Sequence, residues 1–189
     1  MSSTTRSSLN PSLMEDRLAG ETVYQGKLLK VERDRVRLPD GRESTREYIA
    51  HPGAAVILAL TEDGELLFER QFRYPLRRVF LELPAGKMDA NETPEQTARR
   101  ELLEETGYTA QTWRHLGVIH PAIGYSDERI EVFFAQGLQR VTEQKLDAGE
   151  FLEVFGLSPE AAREKAARGE ISDAKTLAAL YIAGLQRVF

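Results

Sequence analysis

Residues 79–108, VFLELPAGKMDANETPEQTARRELLEETGY, constrain this chain more than any other stretch. A short apolar run compatible with a strand gives way to a glycine-containing loop, and a helix follows with punctuation at both ends. Thr93 is a good N-cap, Pro94 occupies the first helical position, and Gln96 stands at capping-box spacing. Gly107 sits where a left-handed residue ends a helix. The spacing predicts a helix over residues 94–106.

The flanks say what that helix rests on. Residues 22–50 read as strands: Val23, Leu28, Leu29, Val31, Val36 and Leu38 lead to Pro39-Asp40-Gly41, and Tyr48-Ile49 follow. In that turn Pro presets φ and Gly accepts a positive φ. AAVILAL (54–60) and ELLFERQF (65–72) predict a second hairpin through Asp63-Gly64, and residues 79–85 one further short strand. Strand-like runs recur at 113–119, 129–136 and 150–157. Ser158-Pro159-Glu160 opens a second helix that Gly169 closes, and Ser172-Asp173 opens a third, with Leu177, Leu180, Tyr181 and Leu185 on one face. Strands, a helix, more strands and two helices predict an α/β fold, a mixed sheet with helices on its faces. Residues 1–12, rich in Ser, Thr, Asn and Pro, are expected to form a disordered tail.

Composition excludes several classes of function. A chain of 189 residues is long enough for a core, and zero cysteines remove disulfides, thiolate metal sites and cysteine nucleophiles. That composition fits a reducing cytoplasm. The longest clean apolar run, residues 54–60, is too short for a bilayer, and the N-terminus does not read as a signal peptide. A pI near 5.4 disfavours nucleic acid. GxxxxGK[ST], GxGxxG and HExxH motifs are absent, and His51, His115 and His120 lack zinc-site spacing.

On the predicted helix, Glu101, Glu104 and Glu105 fall within an arc of about 100°. Three carboxylates so placed repel one another, and a divalent cation over them would relieve the repulsion. Oxygen ligands without His or Cys suit Mg²⁺ or Mn²⁺. A solvated acidic face is the plain alternative, and Arg100 can pair with Glu104 one turn on.

Gly86, Glu92, Arg100, Glu101, Leu102, Glu104, Glu105, Gly107 and Tyr108 resemble a complete Nudix box, matching nine specified positions over 23 residues. The resemblance implies a Nudix α/β/α sandwich with a mixed sheet plus N-terminal antiparallel strands, and hydrolysis of a nucleoside diphosphate linked to another moiety. It implies Glu101 and Glu105 as metal ligands, Glu104 as third ligand or helper, the Ala85 carbonyl as a further metal contact, and Glu92 and Arg100 as braces. The stretches ERQFRYP, LELPAGK, GYSDE, GEFLEV and GEISDAKT are similar to the ADP-ribose pyrophosphatase branch, over roughly residues 45–180. In that branch Arg73 matches a substrate-contacting arginine, with Glu82 beside it as a second candidate or a partner for a neighbouring Arg. Glu150 matches a loop carboxylate acting as general base or completing the metal site; Glu143, Asp147 and Glu153 compete with it.

The implied reaction is Mg²⁺-dependent hydrolysis of ADP-ribose to AMP and ribose 5-phosphate. Alternatives are another nucleotide sugar such as GDP-mannose, a dinucleotide, or a sensor that binds without cleaving; the intact box disfavours the sensor. Relatives stack the base between aromatic rings, whereas this chain has one tryptophan, Trp113, with Tyr24 and Tyr48 nearer its start. Tyr48 is either a stacking residue or a half-buried strand tyrosine. Residues 13–50 are expected to exchange strands in a homodimer, with the Nudix domain over 51–189. The charge is unevenly spread: residues 92–105 hold five acids and two arginines, residues 65–78 two acids and four arginines. A metal-binding helix and a basic strand segment suit a diphosphate bridged by metal.

Overall fold

The structure, a computed structural model, describes residues 11–146 and 148–189. All but the last two residues of the expected tail lie outside this range, and those two enter a 3₁₀ turn, Pro11–Leu13. Two compact units divide the chain, one of residues up to 51 with 122–127, the other of 52–121 with 128–189.

The first unit is an antiparallel sheet of β1 (Asp16–Gln25), β2 (Lys30–Arg37) and β3 (Glu43–Ile49), in that order. The first strand starts six residues ahead of the predicted stretch. The turn forms where Pro39-Asp40-Gly41 predicts it: Gly41 has φ 87°, and its N–H donates to the Leu38 carbonyl at 2.9 Å. Residues 122–127 join the edge, where the Ile49 N–H donates to the Tyr125 carbonyl at 2.9 Å. Tyr48 is half-buried and Tyr24 is exposed.

The second unit contains β4 (Ala54–Ala59), β5 (Leu66–Arg73), β6 (Arg78–Glu82), β7 (Ala85–Lys87), α1 (Pro94–Thr106), β8 (Tyr108–Ile119), β9 (Ile130–Arg140), β10 (Leu152–Leu157), α2 (Pro159–Ala167) and α3 (Ala174–Leu185). One sheet runs β7-β4-β9-β8, with β4 and β9 parallel, and the other runs β10-β5-β6. Every residue of β4 is buried, so this strand needs cover on both faces. Val56 and Leu58 face Ala179, Leu180 and Ala183 of α3 and Ala162 of α2; Ala55 and Ile57 face Ala98 and Leu102 of α1. The result is an α/β/α sandwich with α1 alone on one face.

Three sequence expectations change here. The turn at residues 61–64 forms, with Gly64 at φ 78°, yet β4 and β5 share only one bridge, Leu60–Leu66, and enter different sheets. β9 pairs along all of β4 and β7 along its first three residues, while β5 pairs with β10 and β6 instead. The single strand expected over 79–85 is two, β6 and β7, split at Leu83-Pro84, because Pro lacks the N–H a ladder needs. On α3 the buried face is Thr176, Ala179, Leu180 and Ala183, while Tyr181 and Leu185 are exposed. Small residues let that helix approach the sheet closely, and large ones at those positions would hold it off.

Candidate active site

The β7–α1 loop and the helix are locked together by short-range chemistry. Thr93 accepts from the Gln96 N–H, and the Gln96 side chain accepts from the Thr93 N–H at 2.8 Å, a reciprocal capping box. Gly107 takes φ 76° and closes the helix onto the Leu103 carbonyl. Glu92 accepts from the Asp89 N–H at 3.1 Å and from Thr97 Oγ1 at 2.8 Å. Arg100 grips Glu92 with Nε at 2.8 Å and Nη2 at 2.9 Å, and the same Nη2 donates to the Lys87 carbonyl at 2.9 Å. The Arg100 guanidinium, with Thr97 and the Asp89 amide, holds the Glu92 carboxyl down at about 2. Nη1 of Arg100 reaches Glu101 at 2.7 Å and Glu104 at 3.1 Å. One arginine thus fixes the loop and collects three glutamates.

Deeper in, five carboxylates gather. Glu105 is buried and accepts from the Ala85 N–H at 3.0 Å. Burial, then the charges of Glu69, Glu101 and Glu150, push its carboxyl well above the usual range. Burial also raises Glu101, against the pull of Arg100. Glu150 accepts from Gln71 Nε2 at 2.9 Å. Glu82 is buried and bidentate to Arg73, at 2.7 Å from both Nε and Nη2, and Lys175 also pairs with it. Burial works to raise Glu82, but Arg73 and Lys175 outweigh it and hold the carboxyl down.

Most of the proposed site residues therefore meet in one place, but their duties differ. Arg73 and Glu82 hold each other, so Glu82 positions the arginine, whose side chain stays partly exposed. Of the competitors to Glu150, Glu143 pairs with Arg140 and Glu153 lies near Arg70, both on the surface, and Asp147 lies outside the described residues. Trp113 is taken up in packing: its indole N–H donates to the Ala110 carbonyl at 3.2 Å and its ring meets Phe133 edge-on.

Two participants escape sequence reasoning, Glu69 and Lys175. Glu69 is 2% exposed, and its Oε1 has no hydrogen-bond partner. Burial, then the charges of Glu82 and Glu150, push its carboxyl up to about 8. The signal lay in the alternation of β5: positions 69, 71 and 73 share a face.

These residues suit a divalent cation. The donors are all oxygens, a buried carboxylate oxygen lacks a partner, and Gly86 leaves room for the Glu101 carboxylate, whose carbon lies 1.9 Å from where a Cβ would stand. Among the described residues no three acidic or histidine side chains already converge on one point, because Glu101 and Glu104 are turned onto Arg100.

Residues 50–180 match the NUDIX domain, and residues 15–49 match the nucleoside diphosphate sugar hydrolase N-terminal domain. The chain belongs to the Nudix family. An ADP-ribose pyrophosphatase of Bacillus subtilis (strain 168) is 41% identical over 170 residues, 89% of this chain and 92% of that protein. A methanol dehydrogenase activator of Bacillus methanolicus is 35% identical over 91% of this chain and 94% of its own length. An ADP-ribose pyrophosphatase of Mycobacterium tuberculosis (strain ATCC 25618 / H37Rv) is 39% identical over 85% of this chain and 79% of that protein. The crystal structure of an ADP compounds hydrolase shares the fold, with TM-score 0.80 over 92% of this chain and 95% of that one, at 21% identity. The Nudix box is thus the loop–helix unit that Arg100 braces, and Nudix hydrolases use divalent metal ions.

Proposed function

We propose that this Nudix hydrolase cleaves the pyrophosphate bond of ADP-ribose, giving AMP and ribose 5-phosphate, with Mg²⁺ as its metal, in the cytoplasm. The observation that carries the reading is that Glu101 and Glu105 of the box helix lie within electrostatic reach of Glu150 and the braced Arg73 in one unit. Likeness to two ADP-ribose pyrophosphatases supports the substrate. Glu101, Glu105, Glu104 and the Ala85 carbonyl would hold the metal. When bound, a divalent cation offsets the charge of the diphosphate and makes a water more acidic.

The chain's own residues do the rest. Glu150, oriented by Gln71, accepts the proton of the attacking water at a carboxylate oxygen, a role worth roughly 10²–10⁴-fold. Oxygen from that water bonds to one phosphorus as the bridging P–O bond breaks. Arg73, aimed by Glu82, pairs with the diphosphate or the distal sugar. The N-terminal sheet supports a homodimer: Val23, Tyr24, Leu28 and Leu29 are exposed there, and among its described residues Val36 is the one buried apolar side chain.

The test is a panel of ADP-ribose, GDP-mannose and a dinucleotide with Mg²⁺ or Mn²⁺, read as released phosphate after phosphatase coupling. ADP-ribose should have the highest kcat/KM, and Glu105→Gln should lose most metal-dependent turnover while keeping the fold. A clear preference for GDP-mannose would overturn the substrate, and full activity in Glu105→Gln would overturn the metal assignment.

A further inference from the structure

The face of β5 that looks toward α1 carries Glu69, Gln71 and Arg73 at alternate positions. Each of the last two is matched with a carboxylate, Gln71 holding Glu150 at 2.9 Å and Arg73 holding Glu82 at 2.7 Å. Glu69 reverses the pattern. It brings another acid to a face that already meets acids, opposite Glu82 across the β5–β6 ladder. Its charge bears on Glu105 more strongly than that of Glu101 or Glu150. It is 2% exposed, and Oε1 has neither a donor nor water-accessible surface.

A buried carboxylate oxygen left without a donor is costly, and beside a set of acidic side chains a bound ion is one partner that would satisfy it. Lys175 and Arg73 are the cations whose charge bears on Glu69, and both are engaged by Glu82. A cation brought from solution would supply the partner that neither of them gives Glu69 Oε1.

We propose that Glu69 is a ligand of the divalent cation in this chain, either directly or through a bound water, reaching it from the sheet side while Glu101 and Glu105 reach it from the helix. The inference rests on the metal reading given above and extends it to a residue outside the Nudix box. The arrangement gives the cation oxygens from two separate elements, so its binding ties β5 to α1.

Mn²⁺ binding to the full chain, followed by the electron paramagnetic resonance of the free ion, tests this without reference to turnover. Wild type, Glu69→Gln, Glu69→Asp and Glu105→Gln are compared, each with its melting temperature in EDTA. Glu69→Gln should melt no lower than wild type in EDTA, since it removes a buried carboxyl whose Oε1 has no partner in the fold, and should bind Mn²⁺ about 10–100-fold more weakly. Glu69→Asp keeps the charge but withdraws the oxygens by one methylene, and should lose about tenfold, which keeps the test decisive if the Gln variant fails to fold. Wild-type Mn²⁺ affinity in both Glu69 variants, with loss in Glu105→Gln, would overturn the role of Glu69 and leave the helix ligands standing. Wild-type affinity in all three variants would overturn the metal reading as well.

Discussion

Gly86→Ala separates the fold from the chemistry at one atom. Gly86 pairs with Ala55 in the β4–β7 ladder, and it is not among the residues at positive φ, so alanine can adopt its backbone. A Cβ there would stand 1.9 Å from the Glu101 carboxylate, against about 3.4 Å for ordinary contact. The carboxylate is the free end of a flexible side chain, so it yields rather than the sheet, retreating by about 1.5 Å. Retreat also loosens its 2.7 Å contact with Arg100, a partly exposed pair worth about 1 kcal/mol or less. Alanine returns about 0.4–1 kcal/mol by restricting the unfolded chain. These nearly cancel, and for a chain of this length the melting temperature should move by no more than about 3 °C. Turnover should not survive as well, because a 1 Å misplacement in a catalytic constellation can cost about 10²-fold. The assay is kcat/KM on ADP-ribose across a Mg²⁺ titration, beside a thermal melt in EDTA. A kcat/KM within about threefold of wild type, with the melt unchanged, would refute the claim that the Glu101 carboxylate position matters to the reaction.

Glu92 is held near 2 by Arg100, so its folded carboxyl lies below its unfolded one. The stability it contributes is complete above about pH 4.5 and is lost as pH falls toward 2; Glu92→Gln should remove at most about 3 kcal/mol at pH 7 and flatten the acid limb, as followed by urea unfolding. Gly107→Ala should cost about 2 kcal/mol or more, since φ is 76° and a Cβ would lie 2.2 Å from the Thr142 backbone oxygen; an unchanged urea midpoint would contradict this. Light scattering at micromolar concentration should report twice the 21.3 kDa chain mass, and a clean monomer would remove the dimer.

The box helix could be read from the sequence to its last residue, because its limits are set within a few residues of each end. Thr93, Pro94, Gln96 and Gly107 act on backbone groups no more than one turn away. The same holds for the Pro39-Asp40-Gly41 turn. Asp63-Gly64 shows where such reasoning stops: the turn is local and forms, but which strands then pair is a contest among distant segments, β9 taking the whole of β4 while β5 pairs with β6 and β10. The third helix shows it again, since alanines rather than Tyr181 and Leu185 meet the sheet.

Chemistry divides along the same line. Residue types and helical spacing determined by themselves that Glu101, Glu104 and Glu105 share a face and that oxygen ligands were on offer, since one helix settles both. Tertiary structure alone decided that Glu82 and Lys175, 93 residues apart, would pair behind Arg73, and that Glu69 would be buried without a donor beside the helix acids. A strand places alternate residues on opposite faces, but which face is covered depends on elements far off in sequence. Burial raises the carboxyls of Glu69 and Glu105 and is outweighed at Glu82 by Arg73 and Lys175, and no local pattern contains that information.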